Sequence, residues 1–143
     1  MRLSKKAEYA LRALALMALG KKSWSIQELS EQARIPVKFL EQILLALRHK
    51  GILASKRGVG GGYSLVRPPG ETTVGEVIWA LDGPLAPVPC AAEKPTTPCT
   101  CPDVRTCPVR LLMEHFRTEM GGWLEARSLE DLARMGPGEV FEI

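Results

Sequence analysis

No run of apolar residues in this chain approaches the roughly 20 needed to cross a bilayer as a helix. The most apolar stretch, Tyr9 to Leu19, is interrupted by Arg12 and runs into Gly20-Lys21-Lys22 with no small-residue cleavage pattern. It reads as a core helix rather than a signal peptide, and the protein as cytoplasmic with no membrane partner. Only two histidines are present, His49 and His115, and they fall on separate predicted helices. With no nucleophile–base pairing around them there is no catalytic constellation, so the chain is not read as an enzyme. The glycine-rich stretch Gly58 to Gly62 is followed by neither a lysine-serine ending nor a helix, which discounts a phosphate-binding loop. No Cys-x-x-Cys pair of the kind that builds structural zinc knuckles occurs, and no internal repeat is visible.

The composition present is that of a globular protein of modest size: 143 residues, 45% apolar, with net charge +3. That charge is unevenly divided. Residues 1–67 hold 13 Lys or Arg against 4 acids, a balance of +9, and residues 68–143 hold 6 against 12, a balance of −6. A basic first half suits a polyanion such as DNA, because neutralising phosphates releases condensed counterions.

Periodicity and capping signals predict mainly helices. Ser4 caps a first helix to about Ala18 with Ala10, Ala13, Leu14, Met17 and Ala18 inward. Ser25-Ile26-Gln27-Glu28 is a capping box opening a short second helix with Ile26, Leu29 and Ala33 inward. Pro36 suits the first position of a third helix, which runs to about Lys50 and buries Phe39, Leu40, Ile43, Leu44 and Leu47. Two short β-like runs follow, Ile52 to Lys56 and Tyr63 to Val66, joined by the glycines of a tight hairpin tip. Thr73-Val74-Gly75-Glu76 is a second capping box, opening a helix to about Leu81. From Asp82 to Pro108 seven prolines and all four cysteines accumulate, and regular structure is not expected. Beyond Pro108, residues Val109, Leu112, Met113, Phe116, Met120, Trp123 and Leu124 fall close to a heptad seam that needs a partner. Ser128-Leu129-Glu130-Asp131 caps a last short helix.

The expected fold is therefore mainly α with a small β-hairpin: a winged helix-turn-helix with a long dimerisation helix. Residues 1–82 are assigned to the winged helix and its linking helix, 83–108 to a cysteine- and proline-rich loop, and 109–143 to the dimerisation and C-terminal helices. The third helix should lie in the major groove of double-stranded DNA, with Lys38 reaching a phosphate or guanine, Glu41 a cytosine and Gln42 an adenine. Lys56 and Arg57 precede the hairpin tip, where Gly58 and Gly60 let the backbone approach DNA and Arg57 enters a minor groove.

Cys90, Cys99, Cys101 and Cys107 lie in an 18-residue window. Thiolates are the usual ligands of iron–sulfur clusters, and prolines would hold the loop open around a bulky cofactor. Cys90, Cys101 and Cys107 supply three ligands; Cys99, a carboxylate such as Glu8 from a partner subunit, and His115 are candidates for the fourth. Disulfides, bound zinc and free thiols that sense oxidants remain alternatives, as does an iron–sulfur electron carrier, which leaves the basic wing without a task.

The opening Met1 to Ala10, the stretch Ile35-Pro36-Val37-Lys38-Phe39-Leu40-Glu41-Gln42, the wing Arg57-Gly58-Val59-Gly60-Gly61-Gly62-Tyr63 and Gly75-Glu76-Val77-Ile78 resemble the Rrf family of bacterial winged-helix regulators, which includes IscR- and NsrR-like members, over about residues 1–135. The resemblance implies homodimers on pseudo-palindromic operators and a 2Fe–2S or 4Fe–4S cluster whose state changes DNA affinity. It implies cluster ligation by the three-cysteine pattern that Cys90, Cys101 and Cys107 match. The fourth ligand it implies is a histidine three residues past the last cysteine or an acid on the first helix. Arg110 occupies the former position and Glu8 the latter. Cys99 is additional to the pattern, and the Cys90–Cys101 spacing exceeds the family's usual one.

Overall fold

A computed structural model describes residues 2–20, 22–95, 100, 103 and 105–136. Its first helix, α1 (Lys5–Ala18), begins where the sequence placed it, with the Ser4 hydroxyl accepting from the Ala7 N–H. The Ser4 N–H and hydroxyl also donate to the Asp82 carboxylate. That places a negative charge at the positive end of α1 and ties the start of one helix to the end of another. Ala7, Ala10, Ala13 and Leu14 are fully buried and Met17 nearly so, while Ala18 is only half-buried. The small side chains let other helices approach α1 closely, and α2 (Ile26–Ala33), α3 (Val37–His49) and α4 (Val74–Asp82) all pack on it.

The capping box at Ser25 and Glu28 forms as expected. Arg34 closes α2 in the left-handed conformation, and the Ser30 hydroxyl donates to the Ile35 carbonyl across the turn. Leu29 and Ala33 are buried, with Ile26 packed at the core's edge. Two expectations for α3 are corrected. Pro36 precedes the helix as its cap, with extended backbone and no side-chain hydrogen bond. Phe39 is not buried: it is 56% exposed, while Leu40, Ile43, Leu44 and Leu47 form the inward row. At about 100° per residue, Phe39 lies roughly 90° from the centre of that row. Its ring meets Tyr9 of α1 at 6.4 Å instead.

The hairpin consists of β1 (Leu53–Lys56) and β2 (Gly62–Leu65), antiparallel, with Leu53 opposite Leu65 and Lys56 opposite Gly62. β1 starts one residue later than expected and ends where expected, at Lys56, whereas β2 is displaced one residue towards the tip. Between α4 and the next long helix a 3-10 turn, Pro89–Ala91, interrupts the segment expected to lack regular structure. The long helix α5 (Pro108–Glu125) packs on α4 and on that turn but buries no residue completely. Val109, Leu112, Phe116 and Trp123 of the expected seam remain exposed, whereas Met113, Met120 and Leu124 are half-buried.

The last helix, α6 (Leu129–Arg134), returns to α1, and its Leu129 is fully buried in the same core. A two-residue bridge holds it there: the Val74 N–H donates to the Arg127 carbonyl, and the Leu129 N–H to the Thr72 carbonyl, both at 2.8 Å. Capping boxes at Thr73–Glu76 and Ser128–Asp131 flank this bridge. No helix among the described residues is long and apolar enough to cross a membrane.

Both capping carboxylates titrate below their ordinary range. Partial burial pushes Glu76 up, but the Thr73 N–H and the Arg67 guanidinium outweigh it. For Asp131 the Ser128 N–H is the main cause. Because the folded values are depressed, their contribution is present above the unfolded carboxylate range and disappears as pH falls through the folded values. Urea denaturation between pH 7 and pH 3 should therefore show a shallower acid loss of stability in Glu76→Gln than in the wild type. Identical slopes contradict this assignment.

Candidate nucleic-acid interface

The wing is fastened to the helical unit by backbone. Trp24, in the connection between α1 and α2, exchanges two 2.8 Å hydrogen bonds with Tyr63 of β2. Gly62 makes this approach possible: its φ is +138°, and a Cβ there would sit 2.4 Å from the Trp24 carbonyl oxygen. A Cβ on Gly61 would lie 2.3 Å from the Lys56 carbonyl oxygen, so the tip closes only without a side chain at this position. Gly58 and Gly60 adopt φ of +97° and +74°, with open space around them. Lys56, Arg57, Gly58 and Gly60 are all exposed, and Val59 at the tip is fully so.

The other strand, β1, is tied to α3 by Ser55, the cross-strand partner of Tyr63, whose hydroxyl accepts from the Arg48 guanidinium at 3.1 Å. The exposed face of α3 carries Lys38, Glu41 and Gln42, the three residues expected to meet bases. The sequence reading missed Leu45, 45% exposed among them. Its signal was angular: counting about 100° per residue puts it opposite the buried row. Beside this face, Lys5 and Arg12 lie 5.9 and 5.4 Å from the Tyr9 ring centroid. The Arg12 guanidinium also donates to the Ala33 carbonyl at the end of α2. This α1 flank thus extends the cationic surface beside α3.

Two of the candidate cluster ligands lie on other elements. Cys90 lies in the 3-10 turn that packs on α5, and Cys107 immediately precedes that helix; both are half-buried. Cys99 and Cys101 lie outside the described residues. No group of three His, Cys, Asp or Glu side chains suited to a metal occurs among the described residues. Glu8 is exposed in the first turn of α1, 3.2 Å from the Lys5 ammonium. Such a surface pair is worth only about 0–1 kcal/mol, so it is readily exchanged for another partner. Arg110, at the position where the resemblance implies a histidine, is ion-paired with Glu114. His115 is exposed on α5.

Cys90 and Cys107 are donors of the type that iron–sulfur clusters take. Soft thiols stand on two segments that touch, and Cys107 adjoins a helix start with no acid in its first turn.

Gly62→Ala should lower stability by about 1–3 kcal/mol, from the Trp24 clash and the backbone conformation together. Urea denaturation measures this, and an unchanged midpoint contradicts the wing attachment described above.

Residues 3–135 match the Rrf2 family, described as iron-dependent transcriptional regulators. The chain is similar to a putative rrf2-like regulator of Rhodobacter capsulatus, 34% identical over 94% of this chain and 93% of that one. It is similar also to the regulator IscR of Photorhabdus laumondii, 32% identical over 92% and 79%. Among solved structures it resembles CymR, described as the global cysteine regulator of B. subtilis, with a TM-score of 0.78 and 28% identity over 95% and 98% of the two chains. It shares the fold of T. potens IscR, with a TM-score of 0.73 and 22% identity over 99% and 93%. A helical unit with a basic two-stranded wing, matched in sequence over nearly its whole length, is a winged-helix DNA-binding protein and not an enzyme; the chain belongs to the Rrf2 family of transcriptional regulators.

Proposed function

We propose that this regulator acts as a homodimer on a pseudo-palindromic operator and that an iron–sulfur cluster sets its affinity for that operator. One observation carries the reading: the turn bearing Cys90 packs on α5, the helix that Cys107 precedes and that carries an exposed apolar seam. The turn that carries Cys90 is thereby joined to the surface that a second copy would cover. Beside the seam a groove of about 510 Å³, lined by Leu3, Ile78, Leu85, Phe116, Met120 and Trp123 among others, supports α5 as the dimerisation element.

Cys90, Cys101 and Cys107 would hold the cluster, with Cys99 or Glu8 of the partner subunit as fourth ligand. Such a cluster, 2Fe–2S or 4Fe–4S, supplies a centre that oxidants or nitric oxide can alter. The chain's own residues do the rest. When the ligand segment is ordered, it fixes the two α5 helices and hence the separation of the two α3 helices. When it is released, that separation is no longer held, and operator affinity shifts with the population. Lys38, Glu41 and Gln42 would face bases, and Lys56, Arg57, Gly58 and Gly60 would meet the minor groove and its phosphates.

A cluster-free thiol switch is a second reading, favoured by the likeness to CymR, described as a cysteine regulator. The deciding experiment is an absorption spectrum with iron, sulfide and zinc analysis on protein purified without oxygen. The cluster reading predicts a brown protein with stoichiometric iron and sulfide, and a changed spectrum or redox potential in Glu8→Ala. A colourless protein that takes up no cluster on reconstitution sinks that reading and leaves the thiol or zinc switch. A normal cluster with an unchanged Glu8→Ala spectrum and potential excludes Glu8 as ligand.

A further inference from the structure

Leu45 is an apolar side chain in the middle of a polar face. At about 100° per residue, it points roughly 150° away from the centre of the buried row Leu40, Ile43, Leu44 and Leu47. It shares the outward row with Lys38, Gln42 and His49, all exposed, and remains 45% exposed itself. The core does not use this side chain, and it is absent from the cluster of buried and half-buried residues around it.

The surroundings identify what would cover it. Lys38 begins the row, Arg48 stands in the last turn of the helix with Lys50 just past its end, and Lys56 and Arg57 stand on the wing beyond. A face framed by these cations suits a polyanion. In the major groove of duplex DNA, base edges present hydrogen-bonding groups at every pair but only one apolar group, the C5-methyl of thymine.

We propose that Leu45 is a specificity-determining residue that reads a thymine methyl group in each operator half-site. Lys38, Glu41 and Gln42 offer donors and acceptors to neighbouring bases; Leu45 offers none, and so it distinguishes thymine by its methyl alone. The inference rests on the reading above that α3 is the recognition helix.

The test isolates that methyl. Duplexes enriched by the full chain from a randomised pool define the half-site. Each thymine is then replaced singly by deoxyuridine, which removes only the methyl group, and Kd is measured by fluorescence anisotropy for the wild type and for Leu45→Ala. Leu45 lies outside the core and alanine is the better helix former, so the variant keeps its fold. At one thymine per half-site, the substitution should weaken the wild type about fivefold, the order expected for one buried methyl group. Leu45→Ala should already be weakened to that level and show no response there. A wild type indifferent at every thymine, or a variant that responds as the wild type does, overturns the assignment while leaving the DNA-binding reading intact. Enrichment of no sequence at all overturns both.

Discussion

The alanine seam of α1 is the constraint on which this molecule depends. Ala7, Ala10 and Ala13 present almost no side chain, so α2, α3, α4 and α6 can approach one helix closely. Interiors packed to this density transmit displacement instead of absorbing it. A larger residue at Ala10 or Ala13 would push helices apart on both sides of α1, and overpacking of that kind typically costs about 1–3 kcal/mol. The same closeness gives α1 its second task. It supports the candidate DNA-reading helix while carrying Glu8 and Tyr9 at its exposed start.

Two attachments extend this core outward in opposite directions. On one side, the Trp24–Tyr63 bridge and the Arg48–Ser55 hydrogen bond fix the wing relative to α3, so that helix and wing form one surface. On the other, α4 supports α5, and the Ser4–Asp82 contact closes the far end of α4 against α1. Cys90 and Cys107 are thus separated from the candidate DNA surface by a continuous chain of packed helices. The proposed control of DNA affinity through such a chain would need no long-range field, only two arrangements of α5 in a homodimer with different separations of α3.

Much of this was legible in the sequence because local rules and global packing agree. Ser4, Ser25, Thr73 and Ser128 marked four helix starts that the structure keeps, since a capping hydroxyl satisfies N–H groups that no helical turn can. The glycine run marked a tight tip, although the need for Gly61 and Gly62 lies in backbone approaches that no local pattern shows. Phe39 was misread because a large apolar residue one position from a buried leucine looks inward until its angle is counted. Leu45 was passed over because apolar residues on a helix are ordinarily core. The return of α6 to the core depends on a bridge between Thr73 and Ser128, distant in sequence and invisible to periodicity. The cysteine spacing suggested a soft-ligand site, but spacing within one chain does not decide between Cys99 and a carboxylate such as Glu8 of the partner subunit as its proposed fourth ligand.

What joins these parts is the proposed control of the hold on DNA by the cysteine segment. Its most direct test is the operator affinity of one anaerobic preparation, measured before and after its iron is removed, with iron and sulfide counted in both samples. A clear change in Kd that reverses on cluster reconstitution, and that Cys107→Ala no longer shows, is the predicted result. An affinity that stays the same while the iron is lost would contradict the claim and leave a winged-helix regulator whose cysteines serve some other purpose.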